Sequence, residues 1–210
     1  MKNKNRYFLA ELIGSCFLVM IIVGSGLMAE NLTNDTAVML IANTLATGAG
    51  LFVLITVFAN ISGAHFNPFV SLAMFLRKKI TGKLLIIYIP AQILGCLLGV
   101  MLANVFFEHN ILELSTKNRD GFHIFLSEII ATFGLIFIIF ATLKDGKITI
   151  AASVATYIMA GYWFTSSTSF ANPAVAIART FTDSFTGINY MNTPTYIPVS
   201  YTHLTLPTKA

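Results

Sequence analysis

Two stretches carry polar chemistry in otherwise apolar surroundings: Ser62-Gly63-Ala64-His65-Phe66-Asn67-Pro68-Phe69-Val70 and Ser169-Phe170-Ala171-Asn172-Pro173-Ala174-Val175. Asn is a favoured helix N-cap, and Pro suits the first helical position because its missing N–H would be unpaired there anyway. Each Asn-Pro therefore predicts a helix start. The cap oxygen is spent on the first turn and an amide N–H is left over, so Asn67 and Asn172 can each donate to a water or hydroxyl oxygen. Two helix N-termini at the same depth add positive potential, of the order of half a charge each, which disfavours cations. Two carboxylates, Glu11 and Glu128, fall early in apolar runs. An unpaired carboxylate costs ~2.5 kcal/mol or more near the centre of a membrane helix, so each needs donors or an interfacial depth. His65, two residues before Asn67, either lines a vestibule or braces its loop. No nucleophile–base pair and no metal-ligand spacing stands out, so neither an enzyme nor a cofactor or metal site is expected.

The elements that must position these residues are membrane spans. Apolar residues make up 56% of the 210-residue chain and charged residues 10%, against roughly 25% charged in soluble domains. Spans are expected at about 8–28, 36–59, 84–107, 122–143 and 148–164. Half-helices are expected at 68–76 and from 173 to about 181. Nine residues at 1.5 Å rise cover ~14 Å, about half of a ~30 Å hydrocarbon core. The first apolar run is too long for a signal-peptide core and lacks a small-residue cleavage site after it, so it reads as a retained helix. Cys16 and Cys96 fall inside spans and read as buried thiols.

Most basic residues lie before the first span, at Arg77, Lys78, Lys79 and Lys83, and at Lys144 and Lys147. These are alternate connections and share a side, which the positive-inside rule makes the cytoplasm. The net charge of +4 is thus a topology signal, with no nucleic-acid partner implied.

The chain repeats itself. Ala10-Glu11-Leu12-Ile13-Gly14 matches Ser127-Glu128-Ile129-Ile130-Ala131, and Asn67-Pro68 matches Asn172-Pro173 at a similar offset. Each unit is three spans with a half-helix after the second. Three is odd, so the second unit is inverted, and the site of such a protein lies at the midplane where the broken helices meet. Repeat one covers about 6–107 and repeat two about 122–197, within a single domain at 1–197. A third span is expected in the second unit and does not appear. Residues 198–208 can be back-translated into a transposase adapter used in tagmentation libraries, so the segment 198–210 is set apart. It reads as an adapter translation rather than natural sequence, which leaves a sixth span missing; the alternative is a natural polar tail.

Paired Asn-Pro motifs on an inverted repeat with Glu11 and Glu128 resemble the aquaporin, or major intrinsic protein, family over residues 6 to about 197. The resemblance implies an all-α membrane fold, an aquaporin-like inverted repeat with two re-entrant half-helices. It implies a pore in each protomer, a homotetramer in contact with membrane lipid, and an inner (plasma) membrane location with a cytoplasmic N-terminus. The pore constriction would be formed by Asn67, Pro68, Phe69, Asn172, Pro173 and Ala174, with Glu11 and Glu128 bracing the loops ahead of the half-helices. Interfacial snorkelling and a proton relay are the other readings of the two carboxylates.

The sequence departs from the family in two places. Phe69 replaces the Ala of the first motif, which adds a ring at the pore centre or shifts the half-helices. Val175 follows the second motif where most members carry Arg. Matched without gaps, the family's outer filter falls on Thr47, Ala160, Ser169 and Val175, a small and weakly polar set. Arg179 lies one helical turn beyond Val175; it either supplies the missing cation or braces a loop. The run from Asn172 to Phe185 resembles a bacterial branch of which some members conduct uncharged arsenite. The expected function is passive conduction of water and small neutral solutes, glycerol- or arsenite-like, with ions and protons excluded. The rivals are a secondary transporter with inverted repeats and a non-conducting member plugged by Phe69.

Overall fold

The computed structural model describes residues 2–196 of the chain. Among these residues the fold is all helical: α1 (Lys2–Leu32), α2 (Thr36–Phe58), α3 (Pro68–Leu76), α4 (Gly82–Phe106), α5 (Phe122–Thr142), α6 (Lys147–Phe164), α7 (Pro173–Ala178) and α8 (Thr193–Tyr196), with a 3₁₀ turn over Arg179–Phe181 after α7. Four helices, α1, α2, α4 and α5, are long and apolar enough to cross a membrane. The fifth expected span, α6, has 18 residues, ~27 Å at helical rise. It is less apolar because it carries Tyr157, Tyr162 and Trp163 among its small residues. The helix α1 runs beyond the expected limits at both ends, so its charged N-terminal turn and Glu30 are helical too.

The helices start and stop where local chemistry dictates. Asp35 caps α2, its Oδ1 accepting from the Ala37 amide at 2.8 Å and the Val38 amide at 3.2 Å. Thr81 caps α4. The half-helices α3 and α7 are capped by Asn67 and Asn172, whose backbone angles nearly coincide, φ −152° with ψ 119° and 109°. Inside the bundle α1 packs along α4, and α2 packs along α6. The α1–α4 approach depends on Gly95 and Gly99, where a Cβ would collide with the carbonyl oxygens of Leu12 and Cys16. This is the close backbone contact that small residues permit between membrane helices. One core runs through all the long helices and both half-helices. Residues 198–210, read above as an adapter translation, lie outside the described residues.

Candidate functional site

The loops ahead of the two half-helices are built alike. In each, the residues three and one before the cap Asn have left-handed backbones: Ala64 (φ 53°) and Phe66 (φ 48°), then Ser169 (φ 51°) and Ala171 (φ 46°). Such conformations in non-glycine residues cost of order 1 kcal/mol or more each and persist only where the surroundings enforce them. The intramembrane carboxylates do the enforcing. Glu11 accepts from the His65 amide at 3.0 Å and the Phe66 amide at 2.7 Å. Glu128 accepts from the Phe170 amide at 2.9 Å and the Ala171 amide at 2.8 Å. In both repeats these are the residues two and one before Asn. A serine five residues before Asn repeats as well: Ser62 Oγ accepts from the Ala64 amide and Ser167 Oγ from the Ser169 amide, both at 3.2 Å. Glu11 also accepts from the Ser62 hydroxyl at 2.5 Å and from Gln92 Nε2 of α4 at 2.7 Å.

The two loops then hold each other. Asn67 Nδ2 donates to the Ala171 carbonyl and Asn172 Nδ2 to the Phe66 carbonyl, both at 2.8 Å. The Asn67 Oδ1 accepts from the Phe69 amide, and that of Asn172 from the Ala174 and Val175 amides. Each side-chain amide therefore commits its oxygen and one N–H. Its second N–H remains for the cavity that both residues line.

That cavity, about 120 Å³, runs through the bundle past both Asn residues. On the side that bears Arg77 and Lys144 its wall is apolar, with Leu51, Ile55, Met74, Ile139, Leu143 and Ile150. Toward the opposite face it becomes polar, where Thr47, Tyr162, Ser169, Val175 and Arg179 meet. The Thr47 hydroxyl lies 3.2 Å from the Tyr162 hydroxyl, bridging α2 and α6. Ser169 Oγ is buried and makes no hydrogen bond among the described residues. Gly161 lets the Ser169 loop sit against α6, since a Cβ there would come within 2.7 Å of Ser169 Cβ. The Arg179 side chain is 3% exposed. Its Nε donates to the Thr186 carbonyl, and its guanidinium carbon stands 3.7 Å from the centroid of the Phe170 ring.

Comparison with known proteins settles the family. The model of the family described as major intrinsic protein matches residues 1–197. The chain belongs to the major intrinsic protein family. It is 46% identical over 192 residues to an aquaglyceroporin, AqpS, of Rhizobium meliloti (strain 1021), covering 91% of this chain and 82% of that one. It is 37% identical over 184 residues to aquaporin TIP1-2 of Musa acuminata, covering 80% and 71%. Among solved structures the aquaglyceroporin from Plasmodium falciparum superposes with a TM-score of 0.67 at 23% identity, over 82% of this chain and 78% of that one, which shows the shared fold.

Within this major intrinsic protein the structure brings together Asn67, Asn172, Thr47, Ser169, Val175, Arg179 and His65 around one cavity. His65 both lines it and braces its loop: Nδ1 lies 3.0 Å from Ser71 Oγ, and the ring packs edge-on to Tyr88 at 5.1 Å. Two expectations are corrected. Ala160 is exposed on the outer side of α6 and does not line the cavity. The inward face of that helix is Val154, Ile158 and Tyr162, so Tyr162 occupies the wall instead. The gapless match from the motif ignored the helix's own register, in which 154, 158 and 162 share a face and 160 points the other way. The second correction concerns Pro68, Phe69, Pro173 and Ala174. These line a separate cavity of about 140 Å³ behind the half-helices, with Leu72, Ile89, Ile93 and Ile177. The Phe69 ring packs away from the solute path and does not plug it. Tyr162 was missed, although the apolar stripe of α6 carries the signal. Arg119, which also meets Phe170, was missed as well, and no local pattern marks it.

Proposed function

We propose that this protein is a passive pore for water and small neutral solutes, wide enough at its outer constriction for polyols of glycerol size. The observation that supports this reading is the cavity itself. Two spare amide N–H donors face an otherwise apolar wall at mid-depth, and the outer end pairs hydroxyls with Arg179 while Val175 leaves space beside it. A neutral hydroxyl oxygen can take the amides' hydrogen bonds as it loses water. A bare cation at mid-depth meets the two amide donors and the positive helix ends, which oppose it. The names of the relatives, an aquaglyceroporin among them, agree. Arsenite, as an uncharged trihydroxy acid, fits the same chemistry. Both intramembrane carboxylates are engaged by backbone amides, which leaves the proton-relay reading of a transporter without support.

The protein is read as a multi-pass protein of the inner (plasma) membrane with a cytoplasmic N-terminus, assembled as a tetramer. Exposed apolar side chains such as Phe17, Val53, Leu98 and Phe137 supply surface for lipid and for neighbouring protomers. The test is solute flux in proteoliposomes of the full-length protein, followed by light scattering. Water and glycerol are both expected to pass. Val175→Arg, which adds a guanidinium beside Arg179, is expected to cut glycerol flux tenfold or more, about 1.4 kcal/mol of added barrier, and water flux far less. Water conduction with exclusion of glycerol, urea and arsenite would overturn the wide-filter reading.

A further inference from the structure

The connection 108–121 between α4 and α5 brings a second arginine, Arg119, against Phe170, a residue of the cavity wall, and against the turn that holds Arg179. Arg119 Nε donates to the Gly187 carbonyl at 2.9 Å and its Nη2 to the Phe185 carbonyl at 3.0 Å. The carbonyl between them, that of Thr186, accepts from Arg179. Three consecutive carbonyls of one turn are thus divided between two guanidinium groups. The same two groups share an aromatic ring. Phe170, which lines the cavity, has Arg179 at 3.7 Å and Arg119 at 5.4 Å from its centroid. Its own amide is held by Glu128. Phe185 is also gripped by Lys117 Nζ on its carbonyl and by Glu30 on its amide. Neither of those residues reaches Phe170. Arg119 alone among these three links the turn to the ring.

We infer that Arg119 is a positioning residue of the outer constriction: by holding the carbonyls of Phe185 and Gly187 and standing over the Phe170 ring, it fixes where the Arg179 guanidinium stands in the cavity wall. This rests on the pore reading above. The fork of the guanidinium matters, because two carbonyls two residues apart need two N–H vectors from one rigid group, which a lysine ammonium does not supply. Without Arg119 the turn keeps its Lys117 and Glu30 contacts but loses its tie to Phe170. Arg179 then moves with the turn, and the constriction widens.

The experiment compares water and erythritol fluxes in proteoliposomes of the full-length protein, using their ratio so that differences in reconstitution cancel. Arg119→Gln is expected to raise the erythritol-to-water ratio by roughly threefold or more, the range of a partly buried cation–π contact. Lys117→Gln, which loses a bond to the same turn without touching Phe170, is expected to leave the ratio unchanged. In an Arg179→Ala background, Arg119→Gln is expected to add nothing. Should Arg119→Gln fail to fold, Arg119→Lys is expected to move the ratio the same way by less. A conducting wild type whose ratio is unmoved by the Arg119 variants overturns the positioning role. So does an Arg119 effect of equal size without Arg179. A wild type with no flux above empty vesicles overturns the pore reading itself.

Discussion

Glu11 and Glu128 occupy the same place in each repeat and accept from the same two amides relative to the cap Asn. A carboxylate suits this task because it is acceptor-only when ionised, whereas a carboxamide in the same position turns an NH₂ toward donors. Glu11→Gln is therefore expected to lower stability by about 1–3 kcal/mol, the cost of leaving buried donors unpaired, and to reduce water flux. The unfolding midpoint in detergent, together with the flux, checks this; Ser62→Ala, which removes one donor only, should cost less. Both carboxylates and both Asn-Pro pairs were legible in the sequence because each is a polar residue in an apolar run, repeated. Tyr162 and Ala160 were not, because the motif spacing says nothing of which way a helix faces. Their difference is itself testable. Tyr162→Ala removes the wall residue bonded to Thr47 and is expected to raise glycerol flux relative to water by severalfold. Ala160→Leu, on the outward side of α6, is expected to leave that ratio unchanged.

At the scale of elements, the long helices other than α1 and the half-helices begin and end close to where caps and apolar runs place them, since those signals are local. The connection 108–121 is the opposite case. Its role comes from contacts with residues 67–68 positions away: Thr116 with Asp183, Lys117 with Phe185, and Arg119 with Gly187. No periodicity announces such contacts, so the segment reads only as a polar link of mixed charge. Its packing has an electrostatic consequence. Burial, reinforced by Arg119 and Arg179 and opposed by Glu30 and Asp183, pushes the Lys117 ammonium down to about 8. Lys117 thus gives up its proton more readily in the folded protein than in the unfolded chain, whose Lys value is near 10.4. Between about pH 8 and 10 the unfolded chain binds more protons, so this residue's contribution to stability rises with pH across that window. It is unfavourable below pH 8. Unfolding midpoints of wild type and Lys117→Met across pH 7–10 are expected to converge as pH rises, with the variant ahead at pH 7. Parallel curves would assign Lys117 an ordinary, solvated ammonium.

For the whole molecule, the inverted repeat and the charge distribution bear on the same question of orientation. The repeat turns the second half upside down, so that α3 and α7 enter from opposite faces and their cap residues meet in the middle, as the reciprocal Asn67 and Asn172 bonds require. Symmetry alone does not say which face is inside. The positive-inside bias supplies the expectation: Lys4, Arg6, Arg77, Lys78, Lys79, Lys83, Lys144 and Lys147, eight of the 13 basic residues of the chain, lie at the face shared by the start of α1, the 77–83 connection and the start of α6. The opposite face carries Glu30, Asp35, Glu108, Glu113, Asp120 and Asp183, and its cations Lys117 and Arg119 are tied into the turn at 185–187. Arg77 stands over the Phe140 ring at 5.7 Å, which places the 77–83 connection beside the end of α5, one turn from Lys144. The two basic connections therefore form one rim rather than separate patches, and moving such a rim across a membrane is what the positive-inside bias opposes. Cysteine labelling in intact cells reads this directly. Asn118→Cys, exposed on the connection 108–121, is expected to react with a membrane-impermeant maleimide from outside. Lys144→Cys is expected to react only after permeabilisation. Native Cys96 is fully buried and Cys16 half-buried within α1, so wild type provides the background. Labelling of Lys144→Cys from outside, with Asn118→Cys protected, would reverse the orientation and put the Arg179 constriction at the cytoplasmic end of the pore.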